Sequence, residues 1–177
     1  MELFWAQGYA ETSLVEIEKA TGLNRRQLYN SIGDKRSMFL QALDDFTDSS
    51  TRLLLAPLES EMASVADIEE LFAKFIEMAQ EAGGSKGCMV CSTSQEEIAK
   101  DPEVANRVNV FFERIRAAHL NAILKTVERG EIALDLSDIQ KRADALLGTH
   151  VALCILSRAG RSTTELENIA DSAMKSF

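Results

Sequence analysis

Residues 12–31 read Thr12-Ser13-Leu14-Val15-Glu16-Ile17-Glu18-Lys19-Ala20-Thr21-Gly22-Leu23-Asn24-Arg25-Arg26-Gln27-Leu28-Tyr29-Asn30-Ser31, and Gly33-Asp34-Lys35 stands just beyond. Thr12 and Ser13 precede Leu14, Ile17 and Ala20 at helical spacing, and Glu16, three residues after Ser13, completes a capping box. Gly22 ends that helix. Asn24 opens the next as N-cap, with Gln27 at the third helical position and Leu28 as the apolar anchor. Gly33-Asp34 breaks it again. Upstream, residues 1–7 read as the end of a helix stopped by Gly8-Tyr9. Three short helices separated by single-glycine turns make a helix-turn-helix arrangement.

The rest of the chain is built from longer pieces. Residues 35–56 carry Phe39, Leu43, Phe46, Leu53 and Leu54 ahead of Pro57, a helix about 33 Å long. Residues 67–82 place Ile68, Leu71, Phe72, Phe75, Ile76 and Ala79 on one helical stripe. Gly83-Gly84-Ser85-Lys86-Gly87 reads as a flexible loop, followed by a short segment over residues 88–100. Asp101-Pro102 caps and starts a helix that runs to Gly130 with Val104, Val108, Phe111, Phe112, Ile115 and Ile123. Residues 137–158 and 162–177 are the last two helices. No segment alternates as a strand, and 22 alanines and 20 leucines against two prolines favour long helices. The fold class is all-α: an N-terminal three-helix domain with the helix-turn-helix over residues 1–46, and a C-terminal helical effector-binding and dimerisation domain over 47–177.

Charge narrows the function. Nineteen Lys and Arg against 28 Asp and Glu give −9, which argues against a general nucleic-acid coat or an anionic membrane surface. Between Gly22 and Leu40, however, Arg25, Arg26, Lys35 and Arg36 face only Asp34, a local +3. Arg25 and Arg26 sit on the first turn of a helix, where the dipole disfavours cations. They need another reason to be there, such as a phosphate or a guanine edge. Tyr29 and Asn30 follow one turn later, and Lys35 opens a helix whose N–H groups already favour an anion. The N-terminus lacks a basic leader, Val151 to Leu156 is too short to span a membrane, and three cysteines do not form a disulfide framework. A soluble cytoplasmic protein is expected.

The 137–158 helix has Ala143, Ala145, Leu146, Leu147, Gly148, Val151, Ala152, Cys154 and Ile155 all round its axis, and such a helix is buried on all sides. One reading is a central helix of a monomeric bundle. The favoured one is a homodimer seam made of Ala145, Gly148, Thr149, Ala152 and Ile155, with Leu166, Ile169 and Ala173 from the final helix.

Gly8-Tyr9-x-x-Thr12-Ser13-Leu14, Ala20-Thr21-Gly22-Leu23-Asn24-Arg25-Arg26-Gln27-Leu28-Tyr29-Asn30 and Gly33-Asp34-Lys35-Arg36-x-Met38-Phe39 together resemble the DNA-binding domain of TetR/AcrR-family transcriptional regulators, over nearly all of residues 3–46. Gly87-Cys88-Met89 before a short helix and Asp101-Pro102-Glu103-Val104 before a long one resemble a subset of that family. The resemblance implies a homodimer that binds a palindromic double-stranded DNA operator and is released by a small-molecule effector, with repression as the default. It gives Thr12 and Ser13 capping and phosphate-contacting roles, makes Arg25, Arg26 and Gln27 the base readers, and lets Tyr29 and Lys35 hold phosphates. Asn30 falls between the two roles, and Asn24 joins the set as the cap of the reading helix. Leu14, Ile17, Leu28 and Phe39 are core. Two such helices about 34 Å apart would meet successive major-groove faces. One departure is that the family's first helix normally starts a few turns before the position of Met1; a shortened first helix implies weaker DNA binding.

Downstream, Cys88-x-x-Cys91 puts two thiols on one helix face near a helix start. A zinc site would need four ligands, with only His119 and His150 to supplement the pair, so no metal or cofactor is expected. Two readings remain: small buried side chains, and a redox or electrophile switch of the kind found in relatives with a similar Gly-Cys segment. Phe72, Phe75, Met78, Cys88, Met89, Phe111, Phe112, His119 and His150 form the expected effector pocket, suited to an apolar or electrophilic molecule. No nucleophile–base pair or carboxylate constellation has catalytic spacing, so an enzyme is not expected. A helical interaction module without DNA binding is the other alternative.

Overall fold

Side-chain caps set where the helices begin. Ser13 Oγ accepts from the Glu16 amide at 3.2 Å while the Glu16 carboxylate accepts from the Ser13 amide at 2.8 Å, which starts α2 (Leu14–Thr21) on the expected capping box. Asn24 and Gln27 make the same exchange at 3.0 Å in each direction for α3 (Arg25–Ser31). Asp34 accepts from the Ser37 amide at 2.8 Å and opens α4 (Lys35–Ser50). Ahead of them, α1 (Glu2–Glu11) is kinked at Gly8, whose φ of 82° lies in the left-handed region that glycine enters without strain.

The computed structural model describes residues 1–80, 86–175 and 177. Gly83, Gly84 and Ser85 of the expected loop, and residues 81–82 of the expected 67–82 helix, lie outside the described residues, as does residue 176 of the last expected helix. The remaining elements are α5 (Val65–Ala79), α6 (Met89–Thr93), a 3₁₀ turn (Glu97–Lys100), α7 (Pro102–Glu128), α8 (Leu136–Arg158) and α9 (Thr163–Met174). Among the described residues there is no strand, and the architecture is all-α. The expected helix over 35–56 ends in a π turn, Thr51–Leu55, closed by the Ala56 amide on the Thr51 carbonyl at 3.2 Å. That wider turn directs Leu53, Leu54 and Leu55 toward one cavity, which three consecutive positions of a regular α-helix do not share.

In the C-terminal part α7 lies along α8, α5 packs on both, and α9 covers α5 and α8. Leu166 on α9 is 1% exposed in this chain's own core, so its expected place in a dimer seam is corrected: the apolar stripe of α9 turns inward. Two groups of aromatic rings pack α1 against α4 and α4 against α7. Phe39, fully buried, meets Phe4 at 5.2 Å and Tyr9 at 5.0 Å; Phe46 meets Trp5 at 5.1 Å and Phe111 at 6.5 Å. Residue 46, the expected domain boundary, thus falls inside α4 at a side chain that touches both α1 and α7. Replacing Phe39 with Ala leaves a ring-sized void among rigid neighbours, and a loss of about 3–5 kcal/mol is expected in urea unfolding. A loss under about 1 kcal/mol would show that this cluster does not hold the N-terminal helices together.

Candidate functional site

Leu28 is the one side chain that anchors α3 inward, at 1% exposure. Asn24, Arg25, Arg26, Gln27, Tyr29 and Asn30 are all exposed around it, so the short helix presents its polar residues outward as a block. The Gln27 side-chain oxygen is occupied by the cap, which leaves its NH₂ group to donate outward. The Arg25 guanidinium lies 3.5 Å from the Glu18 carboxylate on α2 and stays more than half exposed. The Lys35 ammonium donates to the Ala10 carbonyl at 3.3 Å and sits 4.5 Å over the Tyr9 ring, fixing it at the junction of α1 and α4. Ser13 is exposed at the start of α2. Thr12 differs from expectation: it is fully buried and its hydroxyl donates to the Gly8 carbonyl at 2.6 Å. Its role here is to close the turn after the kink, and the expected phosphate contact is corrected on that ground.

This face is tied to the rest of the protein by Arg36. Its guanidinium donates to both carboxylate oxygens of Asp101, at 2.6 and 2.8 Å, and to Glu103 at 3.0 Å. Those hydrogen bonds raise the Arg36 pKa and, with the Glu103 and Val104 amides on the same carboxylate, hold Asp101 down at about 2.

Behind the helix-turn-helix lies a cavity of about 190 Å³. Of the nine residues expected to line it, Phe75, Met78, Cys88, Phe111 and His150 do. Phe72, Met89, Phe112 and His119 do not, and the expectation is corrected for two reasons: Phe72, Met89 and His119 are packed into the surrounding core, and Phe112 lies half-buried outside the wall. The wall also includes Trp5, Phe46, the three leucines of the π turn, Ile115, Cys154 and Ser157, and no charged side chain among the described residues. Trp5, brought from far away in sequence, donates through Nε1 to the Gly87 carbonyl at 2.9 Å.

Two groups give this apolar space its chemistry. Cys88 and Cys154 line it, and Cys91 lies buried beside them within hydrogen-bonding reach. Hydrogen bonds from Cys154 and then Cys91 lower the Cys88 pKa; the bond to Cys88 raises that of Cys154. Cys88 is therefore the most acidic of the three thiols. His119 and His150 lie edge to face at 6.0 Å, with both ring nitrogens of His119 and Nδ1 of His150 buried and unpaired. Burial pushes His150 down to about 4, and burial with the neighbouring His150 pushes His119 down to about 3.

The family model for bacterial regulatory proteins of the tetR family matches residues 1–42, and that for the tetracyclin repressor-like C-terminal domain matches residues 64–173. The chain belongs to the TetR family of transcriptional regulators. Its relatives include the uncharacterized HTH-type transcriptional regulator YezE of Bacillus subtilis, 23% identical over 171 residues that cover 97% of this chain and 88% of YezE. The HTH-type transcriptional repressor ComR of Escherichia coli is 25% identical over 99% of this chain and 83% of its own. Among solved structures, a cysteine-substituted form of the TetR-family regulator CifR complexed with 26-bp operator DNA superposes with a TM-score of 0.86 at 17% identity, covering 99% of this chain and 91% of CifR.

As a TetR-family member this protein is a DNA-binding transcription factor and not an enzyme. None of its described helices is long and apolar enough to cross a membrane. Reading the sequence alone missed Trp5, Phe46 and Cys154 in the cavity; the lone tryptophan and the third cysteine were the available signals. The buried imidazoles yield a pH prediction. Their pKa values fall on folding, so the unfolded chain binds more protons between about pH 6.5 and 3, and stability falls as pH falls through that window. His119→Phe is expected to remove a few kcal/mol of that pH dependence, measured by urea unfolding at pH 7 and pH 4. A variant with an unchanged pH slope would show that His119 is not held neutral.

Proposed function

We propose that this TetR-family regulator is a repressor that binds a palindromic operator as a homodimer and lets go when a small apolar or electrophilic molecule occupies the cavity. The DNA half of this reading rests on α3. A helix capped at its N-terminus, pinned by Leu28 alone and showing Arg25, Arg26, Gln27, Tyr29 and Asn30 outward is built to enter a major groove. Arg26 and Gln27 read bases, while Ser13, Asn24, Tyr29 and Lys35 position the helix on phosphates. Residues 1–46 supply this reading head and residues 47–177 the sensing and dimerising part. ComR, by name a repressor, and CifR, seen on operator DNA, support the assignment.

The dimer half rests on α8. Ala145, Gly148 and Ile155 are exposed and Thr149 and Ala152 half-buried along one outward stripe, and a Cβ built on Gly148 meets nothing within 4 Å. Small residues there let a second α8 approach closely, and a two-fold axis makes the stripe complementary to itself. Ile169 and Ala173, half-buried on α9, pack against this chain's own core, so α8 alone carries the stripe. The effector reading rests on a wall without a charged side chain among the described residues. A dry cavity of about 150 Å³ takes a benzene-sized molecule, so the space here fits one or two rings.

Selection of duplexes from a random pool, followed by mobility-shift titration, tests the reading. A site with two-fold symmetry is expected. Arg26→Ala should weaken it about tenfold or more with relaxed base preference, and Lys35→Ala should weaken all sequences alike. Equal affinity for selected and scrambled duplexes would overturn the proposal.

A second reading, cysteine-based sensing of oxidants or electrophiles, is favoured by one observation: Cys154 joins Cys88 at the cavity wall, with Cys91 buried within hydrogen-bonding reach of both. With a brief pulse of iodoacetamide on the native protein, Cys88 is expected to be alkylated ahead of the other two, weakening operator binding. A Cys88 that stays inert while the protein is folded removes this reading.

A further inference from the structure

The kink at Gly8 interrupts the hydrogen bonding of α1 at two consecutive positions. In a straight helix the amides of Tyr9 and Ala10 would donate to the carbonyls of Trp5 and Ala6. Here the Tyr9 and Ala10 amides donate to Glu96 Oε2 at 2.8 and 3.4 Å. The two carbonyls are taken by Arg158: Nη1 donates to Trp5 at 3.3 Å and Nη2 to Ala6 at 3.2 Å. One carboxylate and one guanidinium from the C-terminal part thus replace two missing helical hydrogen bonds, one on each side of the break. The fit is close, since a Cβ on Gly8 would lie 2.7 Å from the Glu96 carboxylate.

Arg158 also holds the entrance to α6. Its Nη1 donates to the Lys86 carbonyl at 2.9 Å and to Ser92 Oγ at 3.2 Å. The neighbouring Gly87 is pressed against α8: a Cβ there would lie 2.8 Å from the Cys154 carbonyl and 3.1 Å from Arg158 Cβ. Trp5, Gly87, Cys154 and Ser157 all line the cavity: Trp5 is a partner of Arg158, Gly87 follows its partner Lys86, and Cys154 and Ser157 precede Arg158 by one turn and one residue on α8. The same α1 carries Tyr9 and Ala10, which hold Lys35, and Gly8, which holds Thr12 ahead of α2. A displacement of the cavity wall therefore has a short mechanical path to the helix-turn-helix.

We propose that Arg158 and Glu96 are positioning residues for DNA binding: they latch the kinked α1 to the C-terminal part, and a molecule in the cavity works the latch by moving Trp5 and Gly87 away from Arg158. This rests on the reading of the cavity as the effector site. Opening leaves the Trp5 and Ala6 carbonyls and the Tyr9 and Ala10 amides without their partners, loosens α1 and frees α2 and α3 from the geometry that fits DNA. Because coupling is reciprocal, removing the latch makes the cavity easier to fill.

The test uses the full chain and N-phenyl-1-naphthylamine, a neutral two-ring probe whose emission rises in an apolar site. Hydrogen exchange at the Tyr9 and Ala10 amides is followed with and without it. In the wild type, probe binding is expected to speed that exchange at least tenfold. In Arg158→Ala the exchange is equally fast without probe, the probe adds less than twofold, and it binds severalfold tighter. Glu96→Ala should behave alike and serves if the first variant does not fold. Arg161→Ala, which removes only the pairing with Glu165 past the end of α8, should match the wild type. If the probe binds but leaves exchange unmoved in the wild type, or if Arg158→Ala exchanges like the wild type, the latch is overturned and the cavity reading stands. If the probe brightens with no variant, the cavity reading itself falls, and the coupling with it.

Discussion

The carboxylate of Asp101 sets how the two parts of this protein meet. It accepts from the amides of Glu103 and Val104 as the N-cap of α7 and from the forked guanidinium of Arg36 on α4. A cap has one direction and a bidentate pair has one plane, so the start of the longest helix and the start of α4 are fixed against each other. Two turns further along both helices, Arg107 meets Asp44 at 2.8 and 3.1 Å and repeats the tie. Neither pair is fully buried, and such ion pairs add little stability in salt. Cohesion comes instead from two aromatic groups, Phe4 and Tyr9 around Phe39 and Trp5 and Phe111 around Phe46, whose burial is large and without direction. Direction from the ion pairs and cohesion from the rings together hold the reading head at one angle.

The interior is less settled chemically than the frame. Three thiols and two imidazoles, with three of the four ring nitrogens unpaired, sit in or behind an apolar wall. Unsatisfied buried nitrogens cost stability, and a fold selected only for stability would fill those places with leucine. Neutral imidazoles add no charge behind this wall, whereas the lowered pKa of Cys88 favours its thiolate, the one group here drawn toward a charge. The same wall touches α1 through Trp5, so what the cavity holds and where α1 lies are physically connected.

Much of this was readable along the chain because it depends on neighbours in sequence. Ser13 with Glu16, Asn24 with Gln27, and Asp101 with Pro102 are local signals, and each marks a helix start where expected. The outward set on α3 follows from Leu28 alone, since one anchored residue on a two-turn helix orients the others. The cavity was only partly legible. Phe75, Met78, Cys88, Phe111 and His150 line it, but Phe72 and His119, on the same apolar stripes, point into neighbouring helices instead. A stripe says which side of a helix is inward and not which neighbour it meets. Thr12 misled for a related reason, because the hydroxyl is spent on a carbonyl exposed by the kink at Gly8.

By itself the sequence determined the starts of α2, α3, α4 and α7, the all-α class, the helix-turn-helix and the polar face it shows, since these follow from caps, glycines and periodicity within a few residues. Only the tertiary structure decided that Trp5 walls the cavity, that Cys154 joins Cys88 and Cys91, that Leu166 turns inward, and that Glu96 and Arg158 meet on either side of Gly8. Those partners lie tens to more than a hundred residues apart. Their meeting depends on how α1, α6 and α8 pack, and no local pattern encodes that.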